Sequence, residues 1–394
     1  MIKERGSALL HYLDRAIGIP AVMVLGSTRR KRVLPSTIQT IGLLKTGAIG
    51  DTVLLSAIIA DLRGAFPRAA MIFFASEGNF EMAGMLEGLD RVVKMPMLNL
   101  MAGISAARVP AVDVMVDFGQ WSRAEALIAL FSRASFTVGF QTPRQYRHYA
   151  YDQIVEHSSD VHELENYRRM VRGLGVTTQN VPFLRVSKQS PLNARDYVVF
   201  HLWPGGRLKK LKQWPSKRWL RLIGEFAAQG MEVVLTGAPS DRSATSALVS
   251  AIPSRLRHLV RNASGLTLRE TGALLARARL VVTVDTGVMH MAAALGVPLV
   301  TLHGPSSSKR WGPVSEKAIA IDSPLEGCGY VSLGWEYRFR RPACMECISY
   351  EVVRDACIAM IGGTPQGQCK DDMGEASASN ATSRVAHSPE HLQR

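Results

Sequence analysis

Along most of the chain, two patterns of hydrophobic and polar positions alternate, one typical of strands and one typical of helices. Short apolar, β-branched runs are typical of strands buried on both faces, and segments with apolar residues on one helical face lie between them. In the first half the pattern predicts strands at residues 40–45, 71–75, 91–95, 112–118 and 136–140, and helices at 51–63, 80–86, 98–107, 122–132 and 160–174. This alternation predicts a parallel sheet covered by helices.

The alternation restarts after a connector at residues 181–192 that contains Pro182 and Pro191. It predicts strands at 197–201, 231–236, 280–284 and 298–302, and helices at 216–229, 268–278 and 288–295. The restart indicates two consecutive α/β domains with a cleft between them. After Pro313 the regular pattern fades. From Gly362 onward the chain is rich in Gly, Ser, Ala, Asn and Gln, which predicts a disordered tail.

The clearest unit of the second series is the strand, helix and strand at residues 280–302. Asp285 is expected to cap the helix, and Gly287 lets the backbone approach a ligand closely. Because the helix begins at the carboxyl end of a strand, its unpaired N–H groups and its dipole favour an anion, typically a phosphate. His290 lies about one turn into the helix, on the side that can face such a ligand. The alternative is an ordinary crossover helix with no ligand.

A second glycine turn follows the strand at residues 40–45. Gly47 and Gly50 form it, and Asp51 begins the next helix. The glycine pair lacks the full dinucleotide fingerprint and is weak evidence for a nucleotide by itself. A carboxylate at a helix start is most often a cap, and it would repel a phosphate. We therefore expect this turn to meet a group other than a pyrophosphate.

Charge points to anionic partners. The sequence has 47 Lys and Arg against 33 Asp and Glu, a formal net charge of +14, which favours nucleic acid, acidic lipid or phosphorylated small molecules. A basic run before Trp214 comprises Arg207, Lys209, Lys210 and Lys212. In residues 141–151, Arg144 and Arg147 stand among three tyrosines, a composition that suits a phosphorylated sugar or a single-stranded nucleic acid. A solvated loop is the alternative.

The first 35 residues form a separate amphipathic and basic segment. Apolar residues occur with helical spacing on one face, and the basic cluster Arg29-Arg30-Lys31-Arg32 follows. This pattern suits the surface of an anionic membrane, where each basic residue adds about 1 kcal/mol. The alternative is a helix packed on the body with a solvated basic linker.

No apolar run approaches the roughly 20 residues that cross a bilayer. Because His11, Asp14 and Arg15 interrupt the apolar positions, the N-terminus also lacks a clean secretory signal. We therefore expect a cytoplasmic protein.

Five cysteines, mostly late in the chain, do not suggest a secreted disulfide framework. Cys344 and Cys347 have the spacing of a metal-binding pair. Cys328 and Cys357 do not repeat that spacing, so we expect no zinc site and a structural role for the cysteines.

Four motifs, in order along the chain, together resemble the heptosyltransferase family (glycosyltransferase family 9). Leu43-Leu44-Lys45 through Gly50-Asp51 to Arg63 resembles the N-terminal signature of that family. Asp285-Thr286-Gly287-Val288-Met289-His290, Ala292-Ala293-Ala294-Leu295-Gly296 and Gly304-Pro305 resemble the C-terminal signature. Between them, Lys212-Gln213-Trp214-Pro215 and Gly237-Ala238 through Asp241 also match. The resemblance covers most of residues 36–360.

The resemblance implies a GT-B fold, in which two Rossmann-like domains face a cleft and a C-terminal helix usually crosses back to the first domain. We accordingly assign residues 1–35 to the N-terminal segment, 36–185 to an acceptor domain, 192–345 to a donor domain, 346–361 to a C-terminal helix region and 362–394 to the tail. The family transfers a sugar, typically heptose from ADP-heptose, onto the growing lipopolysaccharide core. Transfer inverts the anomeric centre and needs no essential metal or other cofactor.

The resemblance also assigns roles to individual residues. Asp51 falls on the catalytic base, Lys212 on a donor-contacting lysine and Asp241 on an acidic residue near the nucleoside, where Glu is commoner. Asp285, Thr286, Gly287 and His290 fall on the diphosphate-binding turn and helix. We add Gly205 and Gly206 as donor contacts, although Trp203-Pro204-Gly205-Gly206 is not a close match to the ADP-heptose subgroup, and Arg144 and Arg147 as acceptor contacts.

The chemistry of these residues fits inversion. One carboxylate must deprotonate the acceptor hydroxyl, and Asp51 at a helix start facing the cleft can serve. The leaving diphosphate needs positive potential, which Lys212 and the helix that begins near Val288 can supply. The predicted partners are a sugar nucleotide, an anionic glycolipid and the cytoplasmic membrane surface, with no nucleic acid. The alternatives are another GT-B enzyme, such as a nucleotide-sugar epimerase, and a basic nucleic-acid-binding protein.

Overall fold

The computed structural model describes residues 8–187, 196–206, 209–333 and 343–362 of the 394-residue chain. The described residues belong to one compact unit, and we call residues 8–187 its first half and residues 196–362 its second half. The tail that the sequence predicts to be disordered lies, from residue 363 on, outside the described residues.

The first half is built on a parallel six-stranded sheet in the order β3-β2-β1-β4-β5-β6. Its strands are β1 Thr40–Leu44, β2 Ala70–Ser76, β3 Arg91–Met95, β4 Val114–Asp117, β5 Phe136–Gln141 and β6 Gln153–Glu156. Its helices are α1 Ala8–Ala16, α2 Gly18–Ser27, α3 Ile49–Ala65, α4 Phe80–Ala83, α5 Leu100–Ala107, α6 Arg123–Phe131 and α7 Glu163–Arg172.

The second half repeats this arrangement as a parallel sheet in the order β12-β11-β10-β7-β8-β9. Its strands are β7 Tyr197–His201, β8 Glu232–Thr236, β9 Val260–Asn262, β10 Leu280–Val284, β11 Leu299–His303 and β12 Ala318–Asp322. Its helices are α8 Ser216–Ala228, α9 Arg242–Ala251, α10 Leu268–Leu275, α11 Gly287–Ala294, α12 Ser308–Trp311 and α13 Tyr350–Gly362. In both sheets the strand order reverses beside the first strand, between β1 and β4 and between β7 and β10, and ligands bind at such switch points.

The strands that the sequence pattern missed lie at or near the sheet edges. β6, β9 and β12 are three to five residues long, and much of each is only partly buried. Such strands carry mixed polar and apolar residues, so the long buried runs of central strands do not mark them. The expectation that regular structure ends after Pro313 is therefore wrong for β12.

The C-terminal helix also departs from the expectation. α13 packs on β10, β11 and α8 of the second half, where Val353 and Cys357 are completely buried. The resemblance instead implies a helix that crosses back to the first domain.

The N-terminal segment lies along the first half. Val22 is buried, and Gly18 and Gly26 lie against Arg123 and Tyr149 so closely that a Cβ atom at either position would be within 2.7 Å of them. Asp14 forms an ion pair with the buried Arg123. One face of the segment is therefore docked.

By length and composition alone, the 19-residue stretch Leu9–Ser27 is apolar enough to cross a membrane, as are some signal sequences and core helices of soluble proteins. This corrects the expectation that no run approaches that length, because three polar residues near its start do not offset the apolar positions around them.

Candidate active site

The starts of α3 and α11 meet where the two halves face each other. A Cβ atom at Gly50 would lie 2.5 Å from Cδ2 of His290, and a Cβ atom at Gly287 would lie 2.7 Å from Cβ of Ile49. Any side chain at either glycine would push the two helix ends apart. The glycines thus bring the first turn of each helix to the same place. Both helices follow strands at the switch points of their sheets, where ligands bind.

Asp51 lies in the first turn of α3, which begins at Ile49 after Ala48. Its Oδ2 accepts a hydrogen bond from Nζ of Lys45 at 2.8 Å, and Nε2 of Gln120 lies 3.5 Å from the same oxygen. The expectation that Asp51 caps the helix is wrong, because the N-cap position is Ala48 and carries no side-chain cap. The carboxylate is instead held by a lysine.

Lys45 is buried, and its position is fixed by three oxygen partners. Besides Asp51, its ammonium group donates to the carbonyl of Phe118 at 3.1 Å and to Oε1 of Gln120 at 2.9 Å. Lys45 was quoted in the N-terminal motif, but the sequence did not single it out as a site residue. The available signal was a lysine that directly follows the buried strand β1.

A second lysine–aspartate pair stands at the carboxyl edge of the second sheet. Nζ of Lys212 lies 2.6 Å from Oδ2 of Asp285, and Oγ of Ser306 donates to the same oxygen at 2.5 Å. Burial by itself would raise the pKa of Asp285, but the charge of Lys212 and the nearby His303 outweigh it and lower the pKa well below its usual range. Asp285 is therefore ionised, and Lys212 is held at the start of α11.

Thr286, and not Asp285, caps α11. Its side chain accepts a hydrogen bond from the amide of Met289. The expected cap was thus misplaced by one residue, because Asp285 is engaged by Lys212 and Ser306. The other amides of the first turn of α11 have no carbonyl partner within the helix.

His290 is buried and uncharged. Burial, only partly offset by the negative charge of Asp285, lowers its pKa to about 4. Its Nδ1 atom has no hydrogen-bond partner among the described residues. A neutral imidazole with an unused nitrogen therefore lies at the contact between the two halves.

The remaining predicted donor residues follow the neighbouring strands of the same sheet. Oδ2 of Asp241 accepts from the amide of Ala238 at 3.0 Å, and Nζ of Lys209 lies 3.4 Å from Oδ1. Gly205 and Gly206 are exposed just after β7, and Gly206 has a φ of +85°. These residues, Lys212 and Asp285 all lie in short segments that follow strands at the carboxyl edge of the second sheet, and two of the segments, Lys209–Lys212 and Pro239–Asp241, are 3₁₀ helices.

Arg147 does not face a ligand. It is completely buried, and its guanidinium donates to Oδ2 of Asp117 at 2.6 Å and to the carbonyls of Ser122 and Gly119. An acceptor cannot reach it in this structure, so its assignment as an acceptor contact is corrected to a structural one. Arg144 is exposed with a φ of +62°, and its contact with an acceptor stays a prediction.

The cysteines brace the loop that carries Ser306. Cys328 and Cys344 form a disulfide, which the sequence did not predict. Next to it, the amides of Gly329 and Val331 donate to the carbonyls of Gly304 and Pro305 at 3.0 and 2.8 Å. Among the described residues no group of three or more His, Cys, Asp or Glu side chains is arranged to hold a metal ion.

Comparison with known sequences points to one family. The family model described as Glycosyltransferase family 9 (heptosyltransferase) matches residues 113–330, more than half of the chain. Lipopolysaccharide heptosyltransferase 2 of Salmonella typhimurium is 38% identical over 119 residues, which are 30% of this chain and 34% of that protein. The match thus spans about a third of the length of that curated relative.

Solved structures extend the likeness to both halves. E. coli ADP-heptose LPS heptosyltransferase II matches with a TM-score of 0.67 and 22% identity, over 82% of this chain and 98% of that one. E. coli heptosyltransferase WaaC with ADP matches with a TM-score of 0.67 and 19% identity, over 82% of this chain and 99% of that one. These matches, together with the two six-stranded sheets, confirm the predicted GT-B fold.

Proposed function

Because the chain belongs to glycosyltransferase family 9 (heptosyltransferase), we propose that it transfers heptose from ADP-heptose to a lipopolysaccharide core or a related glycolipid. The observation that carries the proposal is the meeting of Asp51 in the first turn of α3 with the start of α11. A carboxylate from one half and a phosphate-binding helix start from the other are the two groups that sugar transfer between bound partners needs.

The donor is proposed to lie along the carboxyl edge of the second sheet. Its diphosphate would accept hydrogen bonds from the first amides of α11, where the helix dipole favours negative charge. Lys212 would exchange Asp285 for the more highly charged phosphates. The ADP held by the structurally similar WaaC supports ADP as the nucleotide.

Transfer is proposed to occur in one displacement with inversion and without a metal ion. Asp51 takes the proton from the acceptor hydroxyl as its oxygen bonds to the anomeric carbon. The bond from that carbon to the diphosphate oxygen breaks on the opposite face, and ADP leaves with both electrons of the bond. Lys212 and the amides of α11 stabilise the negative charge that ADP gains.

A panel of nucleotides tests the donor. ADP-heptose and ADP should raise the melting temperature more than UDP-, GDP- or CMP-sugars, because binding to the folded state alone stabilises it by mass action. Transfer should then be followed by mass spectrometry with heptose-deficient lipopolysaccharide as acceptor, with and without a chelator. A protein that binds none of the sugar nucleotides, or that isomerises the sugar without an acceptor, would contradict the proposal.

The acceptor is proposed to be reached at an anionic membrane, on its cytoplasmic face. The docked α1 and α2 leave apolar side chains exposed on their outer side: Leu9, Tyr12, Leu13, Ile17, Val24 and Leu25. Arg30 and Lys31 follow them, and basic residues beside an apolar face favour the anionic cytoplasmic leaflet. The Cys328–Cys344 disulfide favours an oxidising compartment instead, so the proposed location needs its own test. If Cys328 and Cys344 are blocked when the thiols of protein purified from cells without reductant are titrated, the cytoplasmic location is contradicted.

Vesicle binding tests this contact without removing the segment, since deletion would uncover the apolar surface of the first half on which the buried Val22 packs. Replacing Leu9, Tyr12, Ile17 and Val24 with Ser should abolish sedimentation with phosphatidylglycerol vesicles. The matched control replaces Val352 and Ile358, which are exposed on α13, and should sediment normally. Equal sedimentation of both variants would remove the membrane from the proposal.

A further inference from the structure

An arginine of the second half is inserted into the first half close to the active site. Arg310 of α12 is buried and forms an ion pair with Glu163, the first residue of α7. Its Nη2 lies 3.2 Å from Nε2 of His157, and its Nη1 donates to the carbonyl of Val161 at 3.4 Å. Four residues before Arg310 stands Ser306, which donates to Asp285 in the proposed donor site.

Glu163 has a second partner that leads toward Asp51. The glutamate is completely buried, and its Oε1 accepts a hydrogen bond from Nε2 of Gln120 at 2.6 Å. Burial alone would raise the pKa of Glu163, but Arg310 and then His157 outweigh it and hold the pKa well below its usual range. Glu163 is therefore a fixed negative charge between Arg310 and Gln120.

Gln120 converts this charge into an orientation. Its Nε2 faces the carboxylate of Glu163, and its Oε1 accepts from the ammonium group of Lys45 at 2.9 Å. A flipped amide would turn its oxygen toward the carboxylate and its NH₂ group toward the ammonium, which gives two repulsive contacts. Lys45 in turn bonds Oδ2 of Asp51. We call Arg310, Glu163, Gln120 and Lys45 the Glu163 network.

We propose that Glu163 and Arg310 are positioning residues for the reaction: through Gln120 and Lys45 they hold Asp51 in its working orientation while the second half is docked. The proposal rests on the proposed function, because it assumes that Asp51 is the base. It adds that the segment from Ser306 to Arg310 acts on both substrate sites: Ser306 contacts Asp285 in the proposed donor site, and Arg310 belongs to the Glu163 network that holds Asp51.

Kinetics separate positioning from donor binding. Glu163→Gln and Arg310→Gln should each lower kcat by roughly 10- to 100-fold, the size expected from a misplaced catalytic group, while the KM for donor changes less than about threefold. The double variant should be no slower than the slower single variant, because either change breaks the same connection. Additive losses, or a KM that rises with kcat unchanged, would overturn the proposal.

Tyr167→Phe is the matched control. Its hydroxyl oxygen also accepts from Nε2 of Gln120, at 3.0 Å, but Glu163 still fixes the amide when that neutral group is removed. Its kcat should stay within about threefold of wild type, since only a neutral hydrogen bond is lost and the charged partner Glu163 remains. If Tyr167→Phe were as slow as Glu163→Gln, general packing of the buried cluster would explain both, and the proposal would fail.

A measurement without turnover distinguishes failure of the Glu163 network from failure of the proposed function. The side-chain amide protons of Gln120, assigned by comparison with Gln120→Ala, should resonate downfield because one of them is bonded to a carboxylate. Arg310→Gln should shift that resonance because Arg310 is connected to Gln120 through Glu163. An unchanged resonance would overturn the network whether or not the wild type transfers sugar. A shifted resonance with an inactive wild type would support the network and leave Asp51 without its proposed reaction.

Discussion

Each half of the cleft presents a lysine–aspartate ion pair beside the start of a helix. Lys45 and Asp51 are 2.8 Å apart in the first half, and Lys212 and Asp285 are 2.6 Å apart in the second. The two pairs differ in how they are embedded, since the side chain of Lys45 is 2% exposed and that of Lys212 is 21% exposed. The same two residue types therefore stand in one closed and one accessible setting.

The difference fits two separate tasks. The contacts of Lys45 and Gln120 with Asp51 both fall on Oδ2, so among the described residues Oδ1 is left to accept a proton. Lys45 orients this carboxylate and is itself immobilised by Phe118 and Gln120. Asp285 accepts from both Lys212 and Ser306 and holds a partly exposed cation that a diphosphate can take over. In the proposed function, the first pair would serve the base and the second would serve the leaving group.

The largest expected effect is on turnover by Asp51→Asn. An amide cannot take the acceptor's proton, and a general base contributes roughly 10²- to 10⁴-fold to the rate. We expect a loss of that size in kcat, with ADP affinity little changed, measured by transfer assay and calorimetry. An Asn variant with near-normal turnover, where chemistry limits the rate, would mean that both pairs are structural.

The control for Asp51→Asn is Asp61→Asn on the same helix. Asp61 is also buried, and its Oδ1 accepts from the amides of Gln179 and Asn180 at 3.1 and 3.0 Å. Its replacement should lower stability while turnover per folded molecule stays near wild type. Similar losses of turnover in both variants would attribute the effect of Asp51 to damage of α3.

The second prediction concerns stability. Lys45→Met removes one partner of a buried ion pair, which typically costs about 3–5 kcal/mol because the other charge stays buried. Lys212→Met, the matched change in the second half, should lower the free energy of unfolding clearly less. That lysine is partly solvated, and Asp285 keeps the hydrogen bond that it accepts from Ser306. Chemical denaturation measures both. Equal losses in the free energy of unfolding would show that the two ion pairs are equally buried.

The sequence was informative where burial and local motifs decide the structure. Central strands such as β1 and β10 lie close to their predicted positions, and Asp51, Lys212 and Asp285 are brought to the facing edges of the two sheets. Caps were predicted less well, because Asp51 and Asp285 have the residue type of a cap but are engaged by lysines that are 6 and 73 residues away in the sequence.

Long-range partners were not predictable from local patterns. Arg147 was expected to bind an acceptor because basic residues among tyrosines can do so, but Asp117, thirty residues earlier, takes its charge. Glu163 and Arg310 were not predicted as site residues, because nothing adjacent to either residue in the sequence indicates that they form an ion pair. Such pairs follow from the strand order, which a single sequence read by periodicity does not give.

The third prediction concerns donor affinity. Lys212→Ala should weaken ADP binding by roughly 10- to 100-fold, since hydrogen bonds to charged groups contribute about 1.5–3 kcal/mol. Lys210→Ala should have little effect, and Lys209→Ala an intermediate one, because Lys209 pairs with Asp241. Calorimetric titration with ADP measures all three. If the three variants lost affinity equally, the accessible lysine would be one part of a diffuse basic patch.

The smallest expected effect is at the helix starts themselves. α11 has a side-chain cap, Thr286, whereas the N-cap position of α3, Ala48, provides none. Thr286→Ala should lower the free energy of unfolding by about 0.5–2 kcal/mol and weaken ADP binding a few-fold, because the amides that begin α11 lose their fixed orientation. Thr286→Ser retains the hydroxyl and should restore both quantities. If Thr286→Ala lowered stability but left ADP affinity unchanged, the start of α11 would be a structural end only, and the diphosphate would have to be held by Lys212 and the neighbouring loops.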